Sequence, residues 1–495
     1  MKHHLSRTLS AVATVTAGWL TGHSQSASIA VPTPPATPPP SKPAAKLSAT
    51  EQWIQDAKNP APWLSWGADL RVRDEYYNNI VTLDGDAPRH EQNVVRFRSR
   101  LWTTVTPVTN VTFNARLSSE ARLWTEPSFI PVYAGQTGME WRYGILDNLN
   151  LKWNNVLDQP LTLTVGRQDI TIGDFWNWWL VADGTPGDGS WSYFLDSARA
   201  TYDFKSAKTR VDLIGIYQNA RPAGWLPTID NSSDYFLTEQ DETGAIVYLS
   251  NKSLKNTTLE GFFFYKGDRA VARNGDNADL YTTGARIAGN PGDHWHYSLE
   301  GAYQFGNKQD PMVRTPVNAT GERREMDAFG GNAHLTYLCR DALNNQFHLV
   351  YEYLSGDDPD TPDRDEMFDI LWGRWPRWSE LYIYSYVNET GGRIAQLNNL
   401  QRIGGGWTFS PAKRTHFGAY YNALFAPEET PTRTLNASLF SQDGNFRGHY
   451  AQAVLTQTFS RHVKGHLWAE FIWQGDYYTH DDLLTFLRAE LTFTF

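Results

Sequence analysis

From Trp66 to the C-terminus, hydrophobic and polar residues alternate in one segment after another. In the last of these segments, Leu491 and Phe493 share one face of an extended chain, and Arg488 and Glu490 share the other. Alternation with a period of two residues is typical of a β-strand with one apolar and one polar surface. No run of eighteen apolar residues, the length of a transmembrane helix, interrupts the pattern. The chain is therefore predicted to be all-β.

Nineteen segments alternate in this way, and the connectors between them are by turns short and long, as in barrels that cross a membrane. Single-chain bacterial barrels have an even number of strands, so one segment has to be excluded. The short turn at 411–412 fixes the direction of its neighbours and leaves 380–388 inside an external insertion, about 355–398, as a hairpin arm or an inward-folded loop. We predict a single transmembrane antiparallel β-barrel of about 18 strands. The nineteen segments are 66–77, 93–106, 111–124, 145–153, 161–168, 197–204, 209–217, 243–250, 257–266, 279–289, 295–305, 326–337, 345–354, 380–388, 399–410, 413–424, 447–459, 463–474 and 482–495.

The polar face of the segment 93–106 carries Arg96, Arg98 and Arg100. An arginine that faces the bilayer midplane costs about 2–4 kcal/mol, so three would cost roughly 6–12 kcal/mol. These arginines are therefore expected to face the lumen, and Phe97 to face lipid. The same argument predicts that further arginines line the pore. They are Arg71, Arg73, Arg116, Arg122, Arg199, Arg210, Arg286, Arg402, Arg414 and Arg488.

Two interpretations of this arginine face stay open. A basic, water-filled constriction selects for anions. Acidic residues such as Asp69, Glu75 and Glu120 share the same face, however, so the arginines could instead form structural ion pairs across strands. An eighteen-stranded barrel has a lumen wide enough for an aqueous channel.

The remaining composition excludes several classes of protein. A formal net charge of −10 argues against general binding of nucleic acid. The single Cys339 excludes an intramolecular disulfide and a cysteine-rich metal site. The motifs G-x-S-x-G, H-E-x-x-H and C-x-x-C are absent, so we expect no enzyme, no cofactor and no metal ion. Alternatives are a metal held by His294 and His296, and Ca²⁺ held by the acidic stretch 357–366.

The N-terminal region has the features of an exported protein. Lys2 and Arg7 precede an uncharged segment and then small residues, which predicts a signal peptide over residues 1–30. Residues 31–62 are predicted to be a Pro-rich, disordered spacer, with a short amphipathic helix at 50–58 as the alternative. The barrel is expected to occupy residues 63–495.

Several segments resemble the alginate-export family of outer-membrane barrels, and the terminal Phe495 resembles the C-terminal signature of bacterial outer-membrane barrels in general. The sequence VGRQDITIGD at 165–174 resembles the family's GRQ-x(4)-G motif. The segments LDSARATYDF at 195–204 and YEYLSGD at 351–357 resemble strands of the family. The segment 368–381, together with Asn399 and Leu400, resembles variants of the family's late-loop region. By this match, Arg167 joins the predicted pore-lining arginines.

The resemblance implies a monomeric outer-membrane channel whose arginine-rich pore passes an anionic polysaccharide from the periplasm. Its expected partners are outer-membrane lipid, the polysaccharide cargo and periplasmic secretion proteins. The Trp-rich stretches 175–179 and 372–378 depart from the family pattern, so the cargo need not be alginate itself. The alternatives are a porin for small anions and a plugged barrel that acts as an adhesin or an enzyme.

Overall fold

The structure is a computed structural model, and it describes the chain from residue 48 onward with several gaps. The described ranges are 48–126, 137–172, 181–182, 194–221, 226–229, 238, 240–271, 275–309, 323–373, 378–385, 388–389, 398–429 and 437–495. The predicted signal peptide and residues 31–47 of the predicted spacer lie outside the described residues. In the described part of the chain, no helix has the length and apolar character needed to cross a bilayer.

Eighteen long strands follow one another along the chain, and the alternating pattern explains each of them. Their bounds are β1 Leu64–Asn78, β2 Glu91–Val108, β3 Val111–Trp124, β4 Gly138–Trp153, β5 Leu161–Gln168, β6 Leu195–Phe204, β7 Thr209–Gln218, β8 Gln240–Asn251, β9 Thr257–Ala270, β10 Asn277–Gly289, β11 Trp295–Gln309, β12 Arg324–Leu338, β13 Gln346–Leu354, β14 Leu400–Ala412, β15 Thr415–Phe425, β16 Phe446–Thr458, β17 Val463–Gln474 and β18 Leu483–Thr494. Thr171–Ile172, Val181–Ala182 and Arg364–Asp365 form two-residue strands.

The strands close into a barrel. Each long strand pairs antiparallel with its neighbours in sequence, and β1 also pairs with β18 from Asp69↔Thr494 to Asn78↔Thr485. Eight connectors of two to seven residues form one end of the barrel, the turn end, and the other connectors, of six residues or more, form the loop end. The predicted eighteen-stranded antiparallel barrel is confirmed.

The excluded segment 380–388 is not a barrel strand. It contains a short helix, Leu381–Ser385, whose first residues Leu381 and Tyr382 are buried. The prediction of an inward-folded loop is therefore correct, and the alternative of a hairpin arm is wrong. Leu381 and Tyr382, two of the apolar residues that gave the segment its strand-like pattern, belong to the buried apolar core.

The two faces of the sheet differ as the alternation requires. Side chains such as Leu101, Val165 and Leu349 are 50%, 57% and 62% exposed on the outer surface. Side chains of the other phase, such as Arg73 and Glu75, are fully buried in the interior. The predicted assignment of apolar residues to the outer face and of charged residues to the lumen follows this division.

The predicted disorder of residues 31–62 is wrong for the part that the structure describes. A helix, Ala49–Lys58, begins after Ser48. The Ser48 hydroxyl accepts a hydrogen bond from the Glu51 N–H (3.2 Å), and Glu51 Oε2 accepts one from the Ser48 N–H (3.3 Å). This reciprocal cap satisfies N–H groups that a helix start otherwise leaves open. Trp66 Nε1–H also donates to the carbonyl of Ala57 (2.8 Å), which fixes the helix to β1 at the turn end.

Candidate functional site

The strand register places twelve of the fourteen predicted arginines in the interior phase of their strands. The two exceptions, described below, are Arg167 and Arg414. The twelve are Arg71, Arg73, Arg96, Arg98, Arg100, Arg116, Arg122, Arg199, Arg210, Arg286, Arg402 and Arg488.

Eight of these arginines lie on four adjacent strands, β18, β1, β2 and β3, and we call this surface the arginine wall. Glu75 lies at its centre. The carboxylate of Glu75 contacts Arg96 Nη1 (2.7 Å), Arg488 Nε (2.8 Å) and Arg73 Nη1 (3.3 Å), and it accepts a hydrogen bond from the Tyr77 hydroxyl (2.8 Å). One carboxylate thus ties together the three strands that meet where the barrel closes.

The other carboxylates of the wall are also shared. Glu120 contacts Arg71 (3.6 Å), Arg96 (3.1 Å) and Arg122 (2.7 Å). The remaining two, Glu490 and Asp69, each contact two arginines. Their partners are Arg71 and Arg73 for Glu490, and Arg98 and Arg100 for Asp69. Glu75, Glu120 and Glu490 thus join five arginines of the wall into one ion-pair network, and Asp69 joins Arg98 and Arg100. The five are Arg71, Arg73, Arg96, Arg122 and Arg488.

Arg116, at the edge of the wall, and the arginines elsewhere in the barrel pair with carboxylates of neighbouring strands or loops. Arg116 contacts Asp147 (2.7 Å) and, through both terminal nitrogens, Asp169 (2.8 Å each). The other pairs are Arg199 with Asp212 (2.8 Å), Arg286 with Glu260 (2.6 Å), Arg402 with Glu352 (2.9 Å) and Arg210 with Asp203 (2.8 Å). Ion pairs across strands, one of the two interpretations of the sequence, are therefore present. The arginines that form them also lie in the interior phase of their strands.

The prediction that Arg167 lines the pore is wrong. Arg167 is in the phase of Val165, whose side chain is exposed on the outer surface. Its guanidinium group is nonetheless buried at the loop end. It donates to both oxygens of Asp196 (2.8 and 2.9 Å) and to the carbonyl of Leu146 (2.9 Å), and Phe194 stacks on it at 3.8 Å.

The whole GRQ segment has a structural role. Gly166 has φ +119°, and a Cβ atom there would lie 2.3 Å from the carbonyl oxygen of Leu149. Gln168 Nε2 donates to the carbonyl of Ser197 (3.2 Å), on the neighbouring strand. The motif and the segment 195–204, which resemble the family separately, therefore hold each other in place.

The prediction that Arg414 lines the pore is also wrong, because this residue precedes the first residue of β15 and lies outside the strand. Arg414 is exposed in the two-residue turn between β14 and β15. Its Nη1 donates to the carbonyl of Phe459 in the neighbouring turn (3.4 Å). Arg210 lies in the interior phase, but its side chain is 56% exposed at the turn end of β7.

The insertion between β13 and β14 folds into the lumen, and its first part packs on β8 to β12. Asp369 accepts a hydrogen bond from Lys308 Nζ (2.8 Å) on β11. Burial alone would raise the pKa of the Asp369 carboxyl, but the charges of Lys308 and Lys266 hold it at about 2. The Trp372 ring lies so close to Gly244 of β8 that a Cβ atom there would come within 2.5 Å of it.

The second part of the insertion packs on the opposite side of the barrel. The Glu470 carboxylate on β17 accepts hydrogen bonds from the Ser379 hydroxyl (2.6 Å) and from the backbone N–H groups of Glu380 and Leu381 (2.9 Å each). Strands β8 and β17 are nine positions apart in a barrel of eighteen, which places them on opposite walls. Trp372 and Ser379 therefore contact opposite walls of the barrel.

The two described tryptophans of the stretch 372–378 do not line an open path, because Trp372 and Trp378 are 2% and 8% exposed. Trp378 packs on Tyr450 and Tyr382, and the Arg402 guanidinium lies 4.6 Å from its ring centre. Packing of the insertion therefore explains why these two side chains are buried. The stretch 175–179 lies outside the described residues.

Several interior charges were not singled out by sequence reasoning. They include Lys266, Lys308, Glu380, Glu389 and Arg447. Lys266 and Lys308 fall at or beyond the predicted ends of their strands, and the structure extends both strands. The two glutamates lie in the insertion, whose alternating segment 380–388 is not a barrel strand, so their positions depend on tertiary contacts that one sequence does not reveal.

The absence of a metal site stays a prediction. The alternative at His294 and His296 receives no support, because His294 Nδ1 contacts the Leu338 carbonyl and His296 Nδ1 contacts Asn290. In the acidic stretch 357–366, Asp357 pairs with Arg324. Elsewhere in the described chain, Asp84, His480 and Asp482 bring possible ligand atoms within 4.8 Å of one another.

Comparison with solved structures finds the same fold in outer-membrane proteins. Pseudomonas aeruginosa OccK8 (OprE) is 11% identical, with a TM-score of 0.52 over 87% of this chain and 98% of that one. Acinetobacter baumannii OccAB2 is 10% identical, with a TM-score of 0.54 over 87% and 98%. Pseudomonas aeruginosa OpdK, solved with vanillate, is 10% identical, with a TM-score of 0.50 over 87% and 98%. No curated protein matches the sequence.

The closed barrel, its apolar outer face and these structures define the protein as an outer-membrane β-barrel channel. The predicted location in the outer membrane is therefore confirmed. A family model described as alginate export matches residues 228–485, which is just over half of the chain. The chain belongs to the alginate-export family, as the sequence resemblance predicted. Family and fold indicate a transport channel rather than an enzyme.

Proposed function

We propose that this channel is selective for anions and that its cargo is an acidic polysaccharide of the alginate type. The observation that supports anion selectivity is the composition of the arginine wall. At the interior positions of β18, β1, β2 and β3, eight arginines face four carboxylates, a formal excess of four positive charges. Each of these carboxylates is already shared by two or three arginines.

Carboxylates from outside these strands, such as Asp147, Asp169 and Glu380, contact arginines at the edge of the wall. Arg71, Arg98 and Arg100 contact carboxylates of the wall itself. The three carboxylates from outside reduce the formal excess from four positive charges to one. An excess of positive charge in a narrow, water-filled passage raises the local concentration of anions. Chloride and carboxylates should therefore enter more readily than potassium.

A pair of single substitutions tests the role of the wall. Arg100→Gln removes one positive charge from the lumen, and Arg414→Gln removes one from the exposed turn. In planar bilayers with a KCl gradient, Arg100→Gln should lower the permeability ratio of chloride to potassium, and Arg414→Gln should leave it unchanged. Equal effects of the two variants would show that the wall does not set selectivity.

The polymer cargo requires a separate experiment. Oligomers of mannuronate of increasing length should block the chloride current more strongly as the number of carboxylates increases, because several arginines lie along the wall. Neutral oligosaccharides of the same length serve as the control. Equal block by charged and neutral oligomers would contradict the proposal.

A porin for small anions is the second candidate, and the insertion favours it. Described residues of the insertion pack inside the barrel on both β8 and β17, which narrows the path available to a polymer. The structure of OpdK with vanillate shows a small carboxylate with a barrel of the same fold. Block of the chloride current by monomeric glucuronate or vanillate, with no block by long oligomers, would support this candidate.

A further inference from the structure

A cavity of about 420 Å³ lies at the turn end, where the chain passes from the N-terminal helix into β1. Its walls come from residues 59–65 and from Thr104 and Thr106 of β2. Pro62 and Trp63 are exposed, so the cavity is open to solvent. A volume of this size is within the usual range for the binding site of a small molecule or of one unit of a polymer.

The lining of the cavity combines an aromatic ring with hydroxyl groups. Trp63 is 52% exposed, and its indole ring makes no ring contact or hydrogen bond within the described part of the chain. The hydroxyls of Ser65 and Thr106 form no hydrogen bond with any described residue either. Among the described residues that line the cavity, none carries a charge. The cavity therefore offers a flat apolar surface and open hydrogen-bonding groups, but no cation to pair with a carboxylate or a phosphate.

The cavity continues into the arginine wall along the inner face of the barrel. Thr104 precedes the turn end of β2 and lies four residues from Arg100, about 13 Å along the strand, and both face the interior because alternate residues share a face. Trp102 lies between them, and its ring is so close to Gly67 of β1 that a Cβ atom there would come within 2.6 Å of it. The short turns of outer-membrane barrels face the periplasm. A polymer that arrives from the periplasm therefore meets the cavity before the wall.

We propose that this cavity binds a sugar ring of the cargo, stacked on Trp63. The inference rests on the proposed polysaccharide cargo, and it names the part of the cargo that the site recognises. The C–H groups on one face of a pyranose ring pack on an indole ring, and the hydroxyls of Ser65 and Thr106 can bond to the hydroxyls of the sugar. Because the lining is uncharged, the ring is recognised here and the carboxylates of the polymer are recognised at the wall.

The test compares Trp63→Ala with the wild type and with Trp53→Ala. Trp53 is 64% exposed on the N-terminal helix and does not line the cavity, so its substitution controls for the loss of an exposed indole ring. Two probes of equal length are used, hexamannuronate and the neutral mannose hexamer with the same linkage. The readout is the concentration of each hexamer that blocks half of the chloride current in planar bilayers.

The heat-modifiable gel mobility of each variant reports folding. Should Trp63→Ala fail to fold, Trp63→Leu takes its place, since leucine keeps an apolar side chain and removes the flat ring. Half-block of Trp63→Ala should require about tenfold more of either hexamer, which corresponds to about 1.4 kcal/mol. Trp53→Ala should be blocked as the wild type is. The zero-current potential should be the same in all three proteins, because neither substitution removes a charge.

The outcomes separate this inference from the proposed function. If hexamannuronate blocks the wild type and Trp63→Ala equally, the inference is overturned and the proposed function stands. An effect of Trp63→Ala on the charged hexamer alone, or an equal effect of Trp53→Ala, would also overturn the inference, because a stacked ring needs Trp63 and does not need the carboxylate. If the two hexamers block the wild type equally and Trp63→Ala weakens both, the sugar site stands and the proposed acidic cargo is contradicted. If neither hexamer blocks any of the proteins, both proposals are overturned.

Discussion

Glu75 is the position where one substitution tests the arginine wall most severely. Its carboxylate is fully buried and holds Arg73, Arg96, Arg488 and Tyr77 within hydrogen-bond distance. In Glu75→Gln, one oxygen becomes an NH₂ group that cannot accept a hydrogen bond. The negative charge that three guanidinium groups share is lost at the same time.

The magnitude follows from these contacts. If the NH₂ group replaces Oε2, the bonds from Arg96 and Tyr77 are lost, and if it replaces Oε1, those from Arg488 and Arg73 are lost. A hydrogen bond to a charged group contributes about 1.5–3 kcal/mol, so two give about 3–6 kcal/mol. This agrees with about 3–5 kcal/mol for breaking a buried ion pair. We expect a loss of about 3–5 kcal/mol in the free energy of unfolding.

The assay is urea unfolding of the barrel in lipid vesicles, followed by tryptophan fluorescence. Asp203→Asn is the matched control, because it removes one carboxylate from the exposed pair with Arg210 at the turn end. Exposed pairs contribute about 0–1 kcal/mol, so this variant should unfold close to the wild type. A decrease of less than about 1 kcal/mol in the free energy of unfolding of Glu75→Gln would refute the view that this carboxylate holds the closing strands together.

Two further predictions concern the loop end. Gly166→Ala should lower the free energy of unfolding by about 1–3 kcal/mol, because the φ angle of this residue is +119° and the new Cβ atom would meet the Leu149 carbonyl. Urea unfolding at the same concentration as the wild type would contradict this. Burial, and then the charge of Asp365, raise the pKa of the Asp357 carboxyl to about 7 against the pull of Arg324. Between about pH 4 and pH 7 the folded state then binds more protons than the unfolded state. The free energy of unfolding therefore falls with rising pH in this window, by up to about 1.4 kcal/mol per pH unit. Asp357→Asn should flatten this slope in urea unfolding at pH 5 and pH 8, and an unaltered slope would contradict the assignment.

The barrel could be predicted from the sequence because its wall is governed by a local rule. A period of two residues separates the outer face from the interior, and the parity of the turns excludes 380–388. The interior position of Arg96 and Arg98 follows from the same rule. Arg167 was assigned to the pore by the family resemblance and not by this rule, and it lies in the outer phase of Val165, where a pair with Asp196 at the loop end buries its guanidinium group.

The partners of the wall could be predicted only in part. Glu75 and Glu120 share a face with the arginines in the sequence pattern, but which arginines each one contacts depends on the register between strands. Arg488 and Glu75 are 413 residues apart and meet only because the barrel closes. The path of the insertion, and with it the contact of Glu380, depends on tertiary packing that has no period in the sequence.

The central claim is that the arginine wall makes this outer-membrane channel selective for anions. The most direct test is the zero-current potential of the wild-type protein in a planar bilayer that separates two KCl concentrations, because its sign reports which ion permeates more readily. The account predicts the sign of a chloride-selective pore. A potassium-selective sign would contradict it.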